Sequence, residues 1–341
     1  MASESVRSMS RGFPSGGWQL DSVVTGLSIL MMTGIALDAR SHAAGTLSFA
    51  EEGFLTPEHV FFYSAFLGIA AVIGGATVLN RRAGADWVEA VPDGYGIGVL
   101  GVLVFGFGGL GDYMWHSSFG FEQGVEALTS PTHQLLAVGG ILFLTSPLRA
   151  TWRREGSASP GELLSTLLSG MLSFSLFGLF ASLVNPVASP AVFSTVSREL
   201  GVAGFMVFPA VLVAVGLLLS RRFDLLPGSL TLVFLGPAVM GVAVRPGFYQ
   251  LAGAIVAAGI VADLLIQLLP PRPGRVLSLR LFGLAVPLAF GATYMAIAMV
   301  AFEYPIVWSV HIWTGAVTFG ALGGLVVTYI SVPDATREVR G

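Results

Sequence analysis

In Asp112-Tyr113-Met114-Trp115-His116, with sixteen residues between His116 and the histidine of Ser130-Pro131-Thr132-His133, lies the pattern that decides how the chain is read. The same pattern stands 74 positions earlier, as Asp38-Ala39-Arg40-Ser41-His42 and Thr56-Pro57-Glu58-His59, with Glu126 falling on Glu52. Across the 22 aligned positions only five residues agree: the aspartate, both histidines, the glutamate and the proline. A tandem repeat whose surviving identities are metal-type side chains and a helix-starting proline points to metal chemistry, at two sites built on one plan or at one site shared by the copies.

The surroundings of the motif are apolar. With 54% hydrophobic and 11% charged residues and a mean hydropathy of +0.79, the chain lies in the membrane class rather than among soluble domains. A net charge of -3 with scattered arginines argues against nucleic acid as a partner. The absence of cysteine excludes disulfides, thiolate metal sites and cysteine-held iron–sulfur clusters. Any metal is therefore left to imidazole, carboxylate, thioether or backbone groups.

Ten apolar runs are long enough to cross about 30 Å of hydrocarbon as helices. They cover 18–37, 58–79, 95–115, 131–148, 163–184, 197–219, 225–244, 249–269, 281–302 and 306–330. The expected fold is an all-α polytopic membrane protein of about ten transmembrane helices in five hairpins. Its parts are a cytoplasmic lead (1–17), two repeated hairpins with the metal-type motifs (18–160), two hairpins without histidine (161–276), and a last hairpin with a cytoplasmic tail (277–341). Fourteen of the 17 arginines fall in the lead, the tail or every second link, which puts both termini in the cytoplasm by the positive-inside rule. All five histidines then fall on the extracytoplasmic side of a cell membrane.

An aspartate and a histidine four positions apart at the end of a helix share a face, with Cβ atoms about 5–6 Å apart. His133 and His59 open the following helices, each with proline two residues before it, where the first helical turn accepts one. Each hairpin thus offers two imidazoles and a carboxylate, a set suited to copper, non-haem iron or zinc.

Asp-x-x-x-His at a helix end, with tryptophan before the histidine, and Ser/Thr-Pro-x-His opening the next helix resembles the integral-membrane C subunit of the copper-dependent methane and ammonia monooxygenases. The resemblance implies copper held by Asp112, His116 and His133 near the outer face, with Asp38, His42 and His59 as a second copy that lacks the tryptophan. It implies an oxidoreductase that works with other membrane subunits or an outward-facing soluble partner. It covers 22 residues, or 44 with both copies, of 341. The chain departs from that family in its longer interval between the histidines, its doubled motif and its larger number of spans.

Glu52, Glu126, Glu303 and His311 are accessory candidates, and Asp263, inside the eighth span, is a candidate for a proton path. Two other readings stay open at this point. One is a divalent-cation or proton-coupled transporter with the outer cluster as its entry site. The other is a b-type haem protein whose histidines pair across helices. Protease, Walker-loop and nucleophile-elbow motifs are absent.

Overall fold

The structure is a computed structural model that describes residues 16–44, 53–122, 124–271 and 274–331. Among the described residues all regular elements are helical, and nine helices are long and apolar enough to cross a membrane. The chain is a polytopic α-helical membrane protein. It divides into two compact units, Met1–Phe180 and Ala181–Gly341.

In the first unit the order is α1 (Gly17–Ala44), α2 (Pro57–Arg82), the short α3 (Trp87–Ala90), α4 (Gly96–Phe119), the short α5 (Val125–Thr129), α6 (Pro131–Leu144), α7 (Ser146–Arg153) and α8 (Pro160–Phe180). Helices α6 and α7 form one span interrupted at Thr145, where Pro147 cannot donate the next rung of the helical ladder. Helix α1 packs on α2, α4 packs on α6, and α8 lies against α1, α6 and α7. Helices α2 and α6 start alike. Thr56 and Ser130 sit at the N-cap in extended conformation, followed by Pro57 and Pro131 in the first turn.

The buried face of α4 follows the helical period through Gly101, Phe105, Gly108, Asp112 and His116, while Leu100, Leu103, Phe107 and Leu110 are exposed. In lipid, small residues on the buried face let helix backbones approach. A Cβ on Gly101 would stand 2.7 Å from the carbonyl oxygen of Gly139 and 2.7 Å from Leu142 Cβ. A Cβ on Gly108 would stand 3.1 Å from the Leu136 nitrogen. This approach brings the end of α4 onto the start of α6.

The 74-residue offset also relates contacts within the two helix pairs. Gly34 packs on Phe62 as Gly108 packs on Leu136. In a second pair the sizes are exchanged: Leu27 fills the space at Gly68, whereas Gly101 leaves space for Leu142. At the start of α1 the Asp21 carboxylate accepts from Tyr95, again 74 positions on, at 2.8 Å, and pairs with Arg154 at 2.5 Å.

The second unit contains α9 (Arg198–Arg222), α10 (Ser229–Val244), α11 (Ala252–Leu268), α12 (Val276–Val300) and α13 (Val310–Ile330), with 3-10 turns at Ala191–Phe193 and Pro246–Leu251. Helix α9 packs on α12 and α13, α12 on α11 and α13, and α10 on α11. Phe205, Phe208, Phe290 and Tyr294 form its aromatic core, and the Tyr294 hydroxyl donates to the carbonyl of Pro186 at 2.8 Å.

One expected span is shorter in the structure and another is shifted toward the N-terminus. The run 225–244 yields a helix of 16 residues, about 24 Å long, short of the hydrocarbon thickness. Its start is delayed to Ser229 by Pro227 and by Gly228 at φ 89°. The run 163–184 ends as a helix at Phe180. Asn185 precedes Pro186, which disfavours helical backbone at Asn185, and the Asn185 side chain instead accepts from the Val187 N–H and donates to the Pro237 carbonyl. The segment 161–276 is divided between the two units at Phe180, with α8 packed among the helices of the first.

The exchanged Leu/Gly pair predicts non-additive stability. Gly68→Leu destabilises the purified protein by forcing Leu27 aside, and in a Leu27→Gly background the same substitution costs less, with a coupling of about 0.5–3 kcal/mol. Thermal unfolding of the four variants in one detergent measures it.

Candidate metal centre

Each side chain of the centre is placed by a helix end. Asp112 and His116 lie in the last two turns of α4, and His133 is the third residue of α6. Asp112 and His116 are each only 1% exposed. Asp112 Oδ1 lies 3.4 Å from His116 Nε2 and 3.3 Å from His133 Nε2, and accepts a hydrogen bond from Thr132 Oγ1 at 3.1 Å. One ligating atom from each of Asp112, His116 and His133 lies within 4.8 Å of the other two.

The remaining ring nitrogens are turned outward from this point. His116 Nδ1 faces the Gly120 carbonyl at 3.1 Å and Glu122 Oε2 at 3.1 Å. Both are acceptors, so Nδ1 carries a proton, and Nε2 faces Asp112 with a lone pair in the neutral ring or with a second proton in the imidazolium. His133 Nδ1 is 2.8 Å from Ser130 Oγ. Among the described residues His116 Nε2 is buried without a hydrogen-bond partner. An imidazole lone pair aimed at a carboxylate oxygen at 3.4 Å is no hydrogen bond, and the two atoms repel unless a proton or a cation stands between them. Two ligand atoms each about 2.0–2.1 Å from a tetrahedrally bound ion stand about 3.3–3.4 Å apart, which is the spacing found from Asp112 to each imidazole. The donor types and two of the three spacings match a small metal ion, and the third lies within 4.8 Å.

The first copy of the motif is arranged differently. Asp38 Oδ1 lies 3.3 Å from His59 Nε2, the counterpart of the Asp112–His133 contact. His59 is 2% exposed and its Nδ1 is bonded to the Phe54 carbonyl, so its Nε2 also points a lone pair at a carboxylate. His42 instead turns Nδ1 to the carbonyl of Asp38 at 3.0 Å and to Asp38 Oδ2 at 3.5 Å, leaving its buried Nε2 unpartnered among the described residues. Asp38 and His59 come together as a pair, and His42 does not close a three-membered cluster with them.

The two sets share a wall. The Phe121 ring stands 4.6 Å from the ring of His116, 5.6 Å from His42 and 6.1 Å from His59, and Phe54 stands 4.8 Å from His59 and 6.0 Å from His116. Phe121 is delivered by the turn after α4. Gly120 caps that helix by donating to the His116 carbonyl while adopting φ 80°, ψ -178°, a region closed to residues with a Cβ.

Glu126 is exposed on α5, Glu303 and His311 are exposed in the second unit, and Glu52 is outside the described residues. Asp263 accepts from the Leu230 and Thr231 N–H groups at 2.9 Å each and from Thr231 Oγ1 at 2.7 Å. It thereby serves as an external N-terminal cap for α10, where a carboxylate meets unpaired N–H groups and the positive end of the helix dipole. Glu122 was not singled out by spacing. It is a loop residue outside the repeated identities, and its place beside His116 follows from the turn at Gly120.

Gly120→Ala strains this turn by about 1–3 kcal/mol, a loss visible as a lowered unfolding temperature. Asp263→Ala uncovers the start of α10 and lowers stability by about 1–3 kcal/mol while leaving metal content unchanged, as paired unfolding and elemental analysis would show. Comparison with protein-family models, curated proteins and solved structures finds no match to this chain.

Proposed function

We propose that this chain is an integral membrane metal protein in which Asp112, His116 and His133 hold one ion. The observation that carries the reading is the convergence of Asp112 Oδ1 with two imidazole Nε2 atoms at 3.3 and 3.4 Å, with the Nδ1 proton of His116 committed to acceptors on its far side. Metal-binding histidines characteristically engage their second nitrogen in this way. Copper is the metal that the resemblance to the monooxygenase C subunits implies, and iron and zinc accept the same donors. The Asp112 carboxylate stands against both imidazoles, which favours a small ion there over a porphyrin placed between them.

The 74-residue offset, recurring in helix contacts as well as in the motif, supports reading the two hairpins as copies of one unit. On that reading Asp38 and His59, with the buried Nε2 of His42 as a further candidate donor, hold a second and weaker ion. The distribution of arginines supports placing both sites at the extracytoplasmic face of a cell membrane, with both termini in the cytoplasm. Three protein ligands leave a coordination position open, as in catalytic rather than sealed structural sites. A bound copper or iron would supply redox chemistry toward a small molecule such as dioxygen. The protein's part is to orient the imidazoles, to exclude bulk water with Phe54 and Phe121, and to keep the Nδ1 proton on His116.

Elemental analysis of protein purified without chelators tests the reading. About one copper, iron or zinc per chain is expected, and His116→Ala with His133→Ala removes it. Metal-free wild type that also takes up none of these ions on reconstitution would refute the proposal.

A further inference from the structure

Glu122 sits in the turn between Gly120, at φ 80°, and Gly124, at φ 59°, two backbone conformations that favour glycine. Two residues after Gly120, Glu122 Oε2 lies 3.1 Å from His116 Nδ1. The Glu122 side chain is 9% exposed, and both of its carboxylate oxygens are buried without a hydrogen-bond partner among the described residues. Among the described residues the ion pairs of Asp112 and Glu122 are with histidine alone, and none is with arginine. Two carboxylates of low exposure thus flank His116, one at each ring nitrogen. Burying charge in this way is costly unless positive charge stands nearby.

We propose that Glu122 is a positioning residue for His116, completing a carboxylate–imidazole–cation chain and giving the site two negative charges that match a divalent ion. The inference rests on the metal reading above. Its chemistry follows from the order of the groups. Glu122 attracts the Nδ1 proton, which keeps the imidazole in one tautomer, holds the plane of its ring and raises the basicity of Nε2 toward the ion. The Gly120 carbonyl takes the Nδ1 hydrogen bond and the Glu122 carboxylate stands at the same 3.1 Å as an ion-pair partner, so two groups beyond the helix end hold the ring from the back. With Asp112 in front and Glu122 behind, a divalent cation leaves the group neutral.

The test uses the full chain in lipid nanodiscs, stripped of metal and titrated separately with Co(II) and Cu(II), with the Cu(II) electron paramagnetic resonance spectrum recorded at saturation. Glu122→Ala is expected to weaken binding of both ions about 10–100-fold and to change the spectrum, because the imidazole is no longer fixed. Glu122→Gln keeps an oxygen that accepts from Nδ1 but removes the charge. It is expected to recover the wild-type spectrum in large part with an intermediate affinity, and being nearly isosteric it carries the test if the alanine variant does not fold. Wild-type affinity and an unchanged spectrum in the variants that fold would overturn the proposal for Glu122 while leaving the metal site standing. Failure of the wild type to bind either ion, or binding that survives His116→Ala with His133→Ala, would overturn the site itself and the role of Glu122 with it.

Discussion

The cluster depends on one contact, the buried Asp112 carboxylate against the imidazoles of His116 and His133. Inside a bilayer-spanning bundle a carboxylate without compensation is expensive, and ionisable groups there are retained for a reason. Here the surrounding architecture serves to keep the contact closed. Gly101, Gly108 and Gly139 thin the interface between α4 and α6, so that the last turns of one helix and the first residues of the other share a small volume. Ser130 and Pro131 start α6 where His133 falls within reach, and Thr132 adds a hydroxyl to the same carboxylate oxygen.

Much of this was legible in the residues. Apolar runs of bilayer length give the helices, and the four-residue interval from Asp112 to His116 puts both on the face that the glycines bury. The Thr-Pro and Ser-Pro pairs mark the starts of α2 and α6; Thr56 caps the first by accepting from the His59 N–H, whereas the Ser130 hydroxyl turns to His133 Nδ1 instead. Hydropathy could not reveal the late start of α10, because Pro227 and Gly228 stand within an otherwise apolar run. The cap that stabilises that start comes from Asp263, more than thirty residues away in sequence. Nor could spacing find Glu122. A loop glutamate has no periodicity, and its burial is decided by the backbone of the two glycines that flank its turn.

The two motifs also show how far spacing reaches. Asp38 and His59 meet as Asp112 and His133 do, at the same 3.3 Å. The middle histidines differ because side-chain rotation is set by what the second nitrogen finds. For His116 it finds the carbonyl of Gly120 and the carboxylate of Glu122, both beyond the helix end. For His42 it finds the carbonyl of Asp38 in its own helix. Identical intervals therefore produce a closed triad in one hairpin and a pair with a bystander imidazole in the other.

The reversed sizes at Leu27 with Gly68 and at Gly101 with Leu142 bear on how four similar helices find their proper mates as the chain enters the membrane. If α1 docked on α6, two leucines would collide; if α4 docked on α2, two glycines would face each other across a void. Crossed assembly is thus discouraged by bulk in one case and by lost packing in the other, without any polar group being needed to discriminate. Chimeras that trade single helices between the hairpins would inherit the same mismatch, so the hairpin, rather than the helix, is the exchangeable part.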